Sequence, residues 1–402
     1  MGRNACVVIG AGAAGLAVSS ALAEAGVEHV VLEREDVADT WQRQRWDAFR
    51  LNTPGWMNTM LGPVAPDSFS TRDEVVRLLC ERAAALPVRS HTPVLALEHD
   101  GSSFVVRTPG ARIDAATVVL ATGLQNVTRM PAQHARFPTR LRHLHTADYA
   151  NAAALDDGAV LVVGSGQSGC QIAEDLVLAG RRVYLATSKV GRYPWMYRGR
   201  ELIGWLVDCG HWNQQPADLA DPREARAAIA VVGSGGRSLD LPLLAGLGVT
   251  LLGRLDSVRG ERANFTGSVL DHIVYADTVA AMLAAKADSY IAAQGISAPD
   301  PEPAPGANSC QPESITELDL AGAGVTSVIW ATGFSGDLSW VHLPILDADG
   351  HLKHAGCAAP VPGLWYIGFP WLTRRQSGIL HGLPTDAGEV VTAVLRHLSV
   401  AI

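Results

Sequence analysis

Two short glycine clusters carry the chemistry that is easiest to interpret in this sequence. One begins at Gly10 in VVIGAGAAGL, and the other begins at Gly164 in LVVGSGQSGC. In a G-x-G-x-x-G run, the first glycine permits a tight turn, and the second lets backbone N–H groups approach a pyrophosphate. The third glycine lets a helix pack close to a strand. Each cluster therefore predicts a dinucleotide held by its phosphates at a helix N-terminus.

The residues that follow each cluster indicate which nucleotide it would take. The first cluster is followed by Glu33, an acid that suits a ribose hydroxyl. The second is followed by Ser188, Lys189 and Arg192 instead of an acid. Hydroxyls and cations attract a 2'-phosphate that an acid would repel, so the second cluster predicts NADPH over NADH. The alternative is that these basic residues form a solvated loop.

The elements that must position these residues follow from hydrophobic periodicity. Each glycine cluster follows a β-branched apolar run and precedes an apolar pattern of helical period, which predicts a strand, a turn and a helix. Two more predicted strands end in Ala-Thr-Gly, at residues 121–123 and 331–333, and such small endings allow close approach to a cofactor. We predict an α/β fold with two Rossmann-like dinucleotide-binding domains.

The chain length of 402 residues suits two domains better than one small core. We predict a discontinuous FAD-binding domain from residues 1–156 and 326–402. An NADPH-binding domain, residues 157–325, would be inserted between its two parts.

Composition narrows the range of functions. The formal net charge is -8 and no basic block occurs, which argues against a nucleic-acid partner. No apolar run reaches membrane length without a glycine or a charge, so we expect no membrane span. The six cysteines form neither a C-x-x-C pair nor a metal-ligand spacing, which predicts no metal site and a reduced, cytoplasmic protein. Homodimer formation is left open.

Two further stretches allow more than one interpretation. The run VADTWQRQRWDAFRLNTPGWMN is rich in Trp and Arg, which suit a flavin ring and its phosphates or simply a surface loop with buried anchors. Within it, Asn52 precedes Thr53-Pro54 and is either a site residue or a turn former. A third glycine cluster, Val231–Gly236, precedes Pro242, which cannot lie in a helix interior, and predicts a structural turn.

Near the C-terminus, Gln376 precedes a predicted helix. The N–H groups of that helix N-terminus could stabilise negative charge on a reduced flavin, or the residue could serve ordinary helix capping.

Together the two glycine clusters, the paired Ala-Thr-Gly endings and the segment HLHTADY resemble the flavin-containing monooxygenases, the class B flavoprotein monooxygenases. His145, Thr146 and Tyr149 match the second half of the family signature F-x-G-x-x-x-H-[ST]-x-x-[YF]. Thr139 and Leu141 stand where the Phe and Gly would be. Within the family, the chain is most similar to the short bacterial and plant members.

The resemblance implies roles for particular residues. Asn52 lies in a turn similar to the one beside the flavin C4a and would hydrogen-bond the flavin hydroperoxide or the substrate. The segment His145–Tyr149 would couple the two domains. The predicted FAD contacts are Gly10, Gly12, Ala14, Gly15, Glu33, Arg34, Trp41, Arg50, Asn52, Val94, Ala121, Thr122, Gly123 and Gln376. The predicted NADPH contacts are Gly164, Gly166, Gln167, Ser168, Gly169, Ser188, Lys189, Arg192, Ala331 and Thr332.

The resemblance also implies the reaction. NADPH would reduce FAD, the reduced flavin would form a C4a-hydroperoxide with O2, and an oxygen atom would pass to a soft nucleophile of a small molecule, a nitrogen or sulfur and possibly carbon. Baeyer–Villiger enzymes end the signature with Trp-Pro or Trp-Asp, whereas Tyr149-Ala150 favours heteroatom oxygenation. The alternatives are a Baeyer–Villiger monooxygenase, an NADPH-dependent flavoprotein reductase, or a redox-sensing protein that keeps the cofactor for structure.

Overall fold

The computed structural model describes residues 4–221, 224–225, 230–301 and 314–400. The strands in these ranges are β1 (Asn4–Ile9), β2 (His29–Leu32), β3 (Val88–Arg89), β4 (Ala96–His99), β5 (Phe104–Thr108), β6 (Ala111–Leu120), β7 (Val127–Thr128), β8 (Arg142–His145), β9 (Ala159–Val163), β10 (Val183–Ala186), β11 (Met196–Tyr197), β12 (Arg200–Glu201), β13 (Thr250–Leu252), β14 (Arg254–Arg259), β15 (Arg262–Thr266), β16 (Glu317–Asp319), β17 (Val325–Trp330), β18 (Phe334–Ser335) and β19 (Leu364–Tyr366). The α-helices are α1 (Ala13–Glu24), α2 (Asp39–Arg43), α3 (Arg72–Ala83), α4 (Gln167–Leu178), α5 (Leu202–Asp208), α6 (Leu241–Gly246), α7 (Val269–Gln294) and α8 (Leu383–Val400).

The first sheet is built around β1, which is buried along its Val7–Ile9 half. Its strand order is β3-β2-β1-β6-β5-β4, and β19 also pairs with β6. Strands β3, β2, β1, β6 and β19 run parallel, while β4 and β5 are antiparallel additions. Side chains of α1 and α8 join this sheet in one hydrophobic core, so the C-terminal segment completes the N-terminal sheet.

The second sheet is entirely parallel, with the order β13-β10-β9-β17-β8. Its central strand β9 is buried throughout, as its continuous run AVLVV predicts for a parallel strand covered on both faces. Two hydrophobic clusters cover it, one containing side chains of α4 and α6, the other side chains of the β14-β15-β16 hairpin sheet.

The predicted strand-turn-helix units are confirmed at both glycine clusters, where β1 leads into α1 and β9 leads into α4. The two Ala-Thr-Gly runs follow β6 and β17, as predicted. The pairing adds one detail to the predicted division of the chain. Residues 142–145 and 325–330 both pair within the second sheet, so the chain enters that sheet before residue 157. The division into an FAD domain and an NADPH domain stays a prediction.

The third glycine cluster forms a turn, as predicted. Ser234 and Arg237 make an antiparallel bridge, and Gly233, Gly235 and Gly236 all have positive φ angles. Pro242 falls in the first turn of α6, where a proline is tolerated, and Asp240 caps that helix. None of the helices in the described ranges combines the length and apolar composition that crossing a membrane requires.

Candidate active site

A cleft of about 990 Å³ lies where the carboxyl ends of the parallel strands of the two sheets meet. Both glycine turns, both Ala-Thr-Gly endings and the Trp- and Arg-rich stretch contribute to its lining. In open α/β sheets, ligands bind outside the carboxyl ends of the strands, so the cleft stands where the topology places a ligand site.

The first glycine turn shows why each glycine is required. Gly10 adopts a φ of +107°, which disfavours any other residue, and its N–H bonds the carbonyl of Leu32 at 2.8 Å. A Cβ on Gly15 would lie 1.8 Å from the Gly10 carbonyl oxygen. A Cβ on Gly12 would meet nothing within 4 Å, and no side chain caps the N-terminus of α1 there. The helix therefore presents its N-terminal N–H groups beside open space.

The second turn repeats this geometry. Gly164 has a φ of +111°, and a Cβ on Gly169 would lie 1.9 Å from the Gly164 carbonyl oxygen. Gly166 stands at the start of α4 without a side-chain cap and faces open space, like Gly12. The two turns thus have the same geometry, and helix N-termini of this kind can bind anions.

The alanines of the two Ala-Thr-Gly endings pack against the first glycine of each turn. A Cβ on Gly10 would lie 2.8 Å from the Ala121 carbonyl oxygen, and one on Gly164 would lie 2.5 Å from the Ala331 carbonyl oxygen. The small Ala-Thr-Gly residues were predicted to allow close approach to a cofactor; in the structure, their alanines closely approach the glycine turns. Thr122 lines the cleft, and its buried hydroxyl has no hydrogen-bond partner in the structure.

Glu33 lies at the carboxyl end of β2 and lines the cleft. Its Oε2 accepts a hydrogen bond from the Ala11 N–H at 2.7 Å, and its Oε1 accepts from the Glu35 N–H at 3.1 Å. The carboxylate therefore braces the glycine turn while it borders the cleft.

The Trp- and Arg-rich stretch lines the cleft through Trp41, Arg50 and Asn52, as well as Arg45, which was not among the predicted contacts. The Arg45 guanidinium lies over the rings of Trp41 and Phe49, with its Cζ at 5.3 and 5.6 Å from their centroids. It donates to Gln125 Oε1 at 2.7 Å, and burial lowers the pKa of Arg45 to about 10. No salt bridge joins it to an acid of the described residues, so its charge is available to an anion in the cleft.

Asn52 and His381 approach the cleft from different parts of the chain. The Asn52 amide makes no hydrogen bond within the described ranges, and both residues line the cleft. His381 donates from Nδ1 to the Met57 carbonyl at 3.2 Å, which leaves Nε2 as the basic nitrogen. Burial lowers the pKa of His381, so the ring is neutral near pH 7. Sequence reasoning missed His381 because nothing local distinguishes it.

Loop contacts fix the second glycine turn. Gln167 Nε2 donates to the Gly233 carbonyl at 2.7 Å, and Gln167 Oε1 accepts from the Val232 N–H at 2.9 Å. The third glycine cluster therefore supports the second one.

His145 Nε2 donates to the Gly333 carbonyl at 2.9 Å, and burial lowers the pKa of His145, which keeps it a neutral donor.

The basic residues predicted to recognise a 2'-phosphate divide into two groups. Ser188 lines the cleft and Lys189 beside it is exposed. Arg192 is absent from the cleft lining: its side chain is 6% exposed and pairs with Asp277 at 2.6 Å, with Asp240 at 4.0 Å. Arg192 therefore neutralises the buried Asp240 and the partly buried Asp277, and its contact with a 2'-phosphate stays a prediction. Exposed Arg254, at the start of β14, lines the cleft and was missed.

Most of the remaining predicted contacts also lie at the cleft. Its lining includes Ala14, Arg34, Gly123, Ser168 and Thr332. Val94 is absent from the lining. Gln376 is buried and also absent from it; its Nε2 donates to Asn213 Oδ1 at 3.3 Å, and its N–H donates to the Trp212 carbonyl at 3.2 Å. The prediction that Gln376 meets the flavin stays untested.

The cysteines of the described ranges all lie away from the cleft lining. Cys6, Cys170 and Cys357 are buried, and burial raises the pKa of Cys6 and Cys170 to about 12, which makes these thiols poor nucleophiles. Cys310 lies outside the described residues.

Comparison with known proteins agrees with this geometry. Residues 7–198 match the family described as pyridine nucleotide-disulphide oxidoreductase. An uncharacterized oxidoreductase, CzcO-like, from Geobacillus kaustophilus is 27% identical, and the alignment covers 97% of this chain and 98% of the relative. The solved flavin-containing monooxygenase from Stenotrophomonas maltophilia superimposes with a TM-score of 0.66 at 22% identity, covering 99% of this chain and 100% of that one.

The predicted resemblance to the flavin-containing monooxygenases is confirmed. The chain is an oxidoreductase with the mixed α/β fold of these flavoproteins. A second solved structure, of OTEMO in complex with FAD and NADP, superimposes with a TM-score of 0.58 at 16% identity, covering 98% of this chain and 86% of that one.

Proposed function

We propose that this flavoprotein-like oxidoreductase is a monooxygenase that uses FAD and NADPH to oxygenate a nitrogen or sulfur of a small molecule. The observation that carries the proposal is that two equivalent glycine turns open on one cleft. One nucleotide at each turn would bring the two reactive rings together between them. The fold shared with the Stenotrophomonas monooxygenase and with OTEMO supports this assignment.

The first turn fits FAD. Gly12 leaves room for a pyrophosphate at the N-terminus of α1, and Glu33 stands where a ribose would lie. The buried Thr122 hydroxyl lacks a partner that a bound cofactor would supply. The strands of the first sheet, including β19, would form the FAD domain.

The second turn fits NADPH. Gly166 and the N-terminus of α4 would take the pyrophosphate, while Ser188, Lys189 and Arg254 offer a hydroxyl and two cations for the 2'-phosphate. The strands of the second sheet, β8 and β17 among them, would form the NADPH domain.

Bound FAD and NADPH would supply the hydride transfer and the oxygen activation, and this chain's residues would orient and protect that chemistry. Asn52 offers a carboxamide donor and acceptor at the cleft surface. His381 Nε2 could hold a proton there, since Nδ1 is engaged by Met57. Trp41 and Phe49 line the cleft with apolar rings, which limit the access of water.

A stopped-flow experiment tests the proposal. The FAD-loaded protein is reduced anaerobically with NADPH, mixed with oxygenated buffer without substrate, and followed by absorbance spectra. We expect a transient spectrum that differs from both oxidised and reduced flavin and that lasts longer when NADP+ is present. Immediate return to the oxidised spectrum with stoichiometric release of hydrogen peroxide would refute the monooxygenase.

The family description also names disulphide oxidoreductases, so disulphide reduction is the alternative with a specific observation behind it. The positions of the cysteines count against it, since those in the described ranges lie off the cleft and three are buried. Rapid, disulphide-dependent NADPH oxidation under anaerobic conditions would favour the alternative.

A further inference from the structure

Two buried N–H groups without hydrogen-bond partners among the described residues lie outside the cofactor cleft, next to two cations and a tyrosine. We call this group the donor cluster; it consists of Tyr193, His211, Trp212, Lys286 and Arg375. Trp212 and Tyr193 belong to a hydrophobic cluster that also contains Met57 and, at its border, Ile379. Ile379 lines the cofactor cleft, so the donor cluster packs directly behind one wall of that cleft.

His211 presents a buried N–H donor. Lys286 Nζ lies 3.2 Å from His211 Nδ1, and because an ammonium can only donate, Nδ1 must be the acceptor. The ring proton therefore sits on Nε2. That nitrogen is buried and has no hydrogen-bond partner in the structure. Burial, Arg375 and Lys286 lower the pKa of His211 to about 3, so the ring stays neutral near pH 7.

Trp212 adds a second donor of the same kind. Its ring lies 5.9 Å from that of His211, centroid to centroid, and its buried Nε1–H has no hydrogen-bond partner among the described residues. An indole N–H can only donate, so it requires an acceptor from outside the protein. Leaving such groups unsatisfied in the interior is costly, and native proteins contain few of them.

Two cations complete the donor cluster. The Arg375 Nε and one terminal nitrogen donate to Gln214 Oε1 at 3.2 and 2.8 Å, and its Cζ lies 4.5 Å from the Trp371 ring centroid. Neither Arg375 nor Lys286 forms a salt bridge with any residue of the described ranges. Both are only partly buried, so they connect the buried donors with solvent.

The other charged or titratable groups around the donor cluster do not neutralise it. Exposed Glu224 acts on Lys286 and Arg375 from beyond ion-pair distance, and Cys209 acts on Lys286. Burial and then the proximity of Arg375 lower the pKa of Lys286, so the two cations disfavour each other's charge. An anion among them would remove that repulsion.

We infer that the donor cluster binds the carboxylate of an organic anion, which is the substrate of the proposed monooxygenase. A carboxylate offers two oxygens that accept several N–H bonds, which matches two unpartnered N–H groups beside two cations. The Trp212 and Tyr193 rings are stacked with centroids 6.5 Å apart and would contact an apolar or aromatic body. The Gln376 N–H donates to the Trp212 carbonyl at 3.2 Å, so the donor cluster adjoins the chain segment that leads to Ile379 at the cleft wall. The substrate role rests on the proposed function, whereas the binding site does not.

Calorimetry on the FAD-loaded protein tests the site. The probes are phenylacetate and phenylacetamide, which share a shape and differ in charge. We expect phenylacetate to bind at least about tenfold more tightly than phenylacetamide, since its bonds to the cluster are charge-assisted. Lys286→Met and Trp212→Phe should each weaken phenylacetate binding about ten- to a hundredfold. The matched controls are Lys353→Met, at an exposed position, and Trp340→Phe, where the ring packs against the core of the first sheet. Both variants should bind phenylacetate as the wild type does.

Three results would overturn the inference. They are equal binding of the two probes, unchanged affinity in Lys286→Met, and binding of inorganic phosphate in place of phenylacetate, which would indicate a site for inorganic anions. The stopped-flow experiment without substrate is independent of this site. If no transient spectrum is observed but phenylacetate binding depends on Lys286, the proposed monooxygenase activity is refuted and the anion site is supported. If the spectrum forms but binding fails, only the site is refuted.

Discussion

A Cβ on Gly15 would lie 1.8 Å from the carbonyl oxygen of Gly10, so the first helix and the turn that precedes it fit together only when residue 15 has no side chain. Gly15→Ala should force α1 away from the turn, cost about 1–3 kcal/mol of unfolding free energy and reduce FAD retention. Thermal denaturation and the flavin absorbance that remains after gel filtration measure both effects.

Gly169→Ala is the matching change in the second turn, where the Cβ would lie 1.9 Å from the Gly164 carbonyl oxygen. It should weaken NADPH binding and leave FAD in place. Gly388→Ala serves as the control, because Gly388 lies in α8 with nothing within 4 Å of a Cβ and should gain about 0.5–1 kcal/mol. Equal loss of FAD from both turn variants would contradict the assignment of one nucleotide to each turn.

Asn52→Ala removes a carboxamide that lines the cleft without any hydrogen bond inside the described ranges. We expect product formation to fall about ten- to a hundredfold, because a contact to the reacting groups is lost, while NADPH still reduces the flavin at the wild-type rate. Comparing oxygenated product with released hydrogen peroxide per NADPH measures this uncoupling. Asn264→Ala, on β15, is the control. A slowed reductive step in Asn52→Ala would assign the residue to cofactor binding instead.

The parts of the fold that the sequence predicted well are those with local causes. The glycine turns at Gly10 and Gly164 follow from positive φ angles and from helix contacts within a few residues. The Ala-Thr-Gly endings were recognised because they repeat, yet their reason became visible only when Ala121 and Ala331 were found against those turns.

The residues that the sequence missed are placed by distant parts of the chain. Arg254 reaches the cleft from β14, and His381 is oriented by the carbonyl of Met57, more than three hundred residues earlier. Arg192 was predicted to face the nucleotide because it lies near Lys189, but its partners are Asp240, which caps α6, and Asp277, which lies in α7. No sequence spacing reveals that pairing.

Arg192 is buried and paired with acids, whereas Lys189 is exposed, so substitutions at the two positions should have different effects. Arg192→Met would remove a buried cation from the partly buried Asp277 and the buried Asp240, and should cost about 3–5 kcal/mol of unfolding free energy. Lys189→Glu lies at the surface and should leave stability unchanged but lower NADPH affinity by about 1–3 kcal/mol. Chemical denaturation and NADPH titration separate the two effects. If Lys189→Glu weakens NADH and NADPH binding equally, Lys189 does not recognise the 2'-phosphate.

The buried ring of His211 predicts how stability depends on pH. Burial and the nearby cations lower the pKa of His211 to about 3, whereas in the unfolded chain it titrates near its ordinary value of 6.5. Between these values the unfolded state binds a proton that the folded state does not, so the free energy of unfolding falls as the pH decreases through this window. One such group contributes up to about 1.4 kcal/mol per pH unit.

His211→Gln should flatten that dependence, because glutamine does not titrate. Burial also lowers the pKa of His143, His145, His272 and His381, so the informative quantity is the difference in slope between wild type and variant. Denaturant titrations at intervals from pH 4 to pH 7 measure it, with His354→Gln, at an exposed position, as the control of wild-type slope. Adding phenylacetate extends the test to the donor cluster. A carboxylate beside His211 would favour the protonated ring and raise its pKa in the folded protein. In the presence of phenylacetate, the unfolding free energy of the wild type should therefore depend less steeply on pH. Lys286→Met binds phenylacetate more weakly, so its pH dependence should change less.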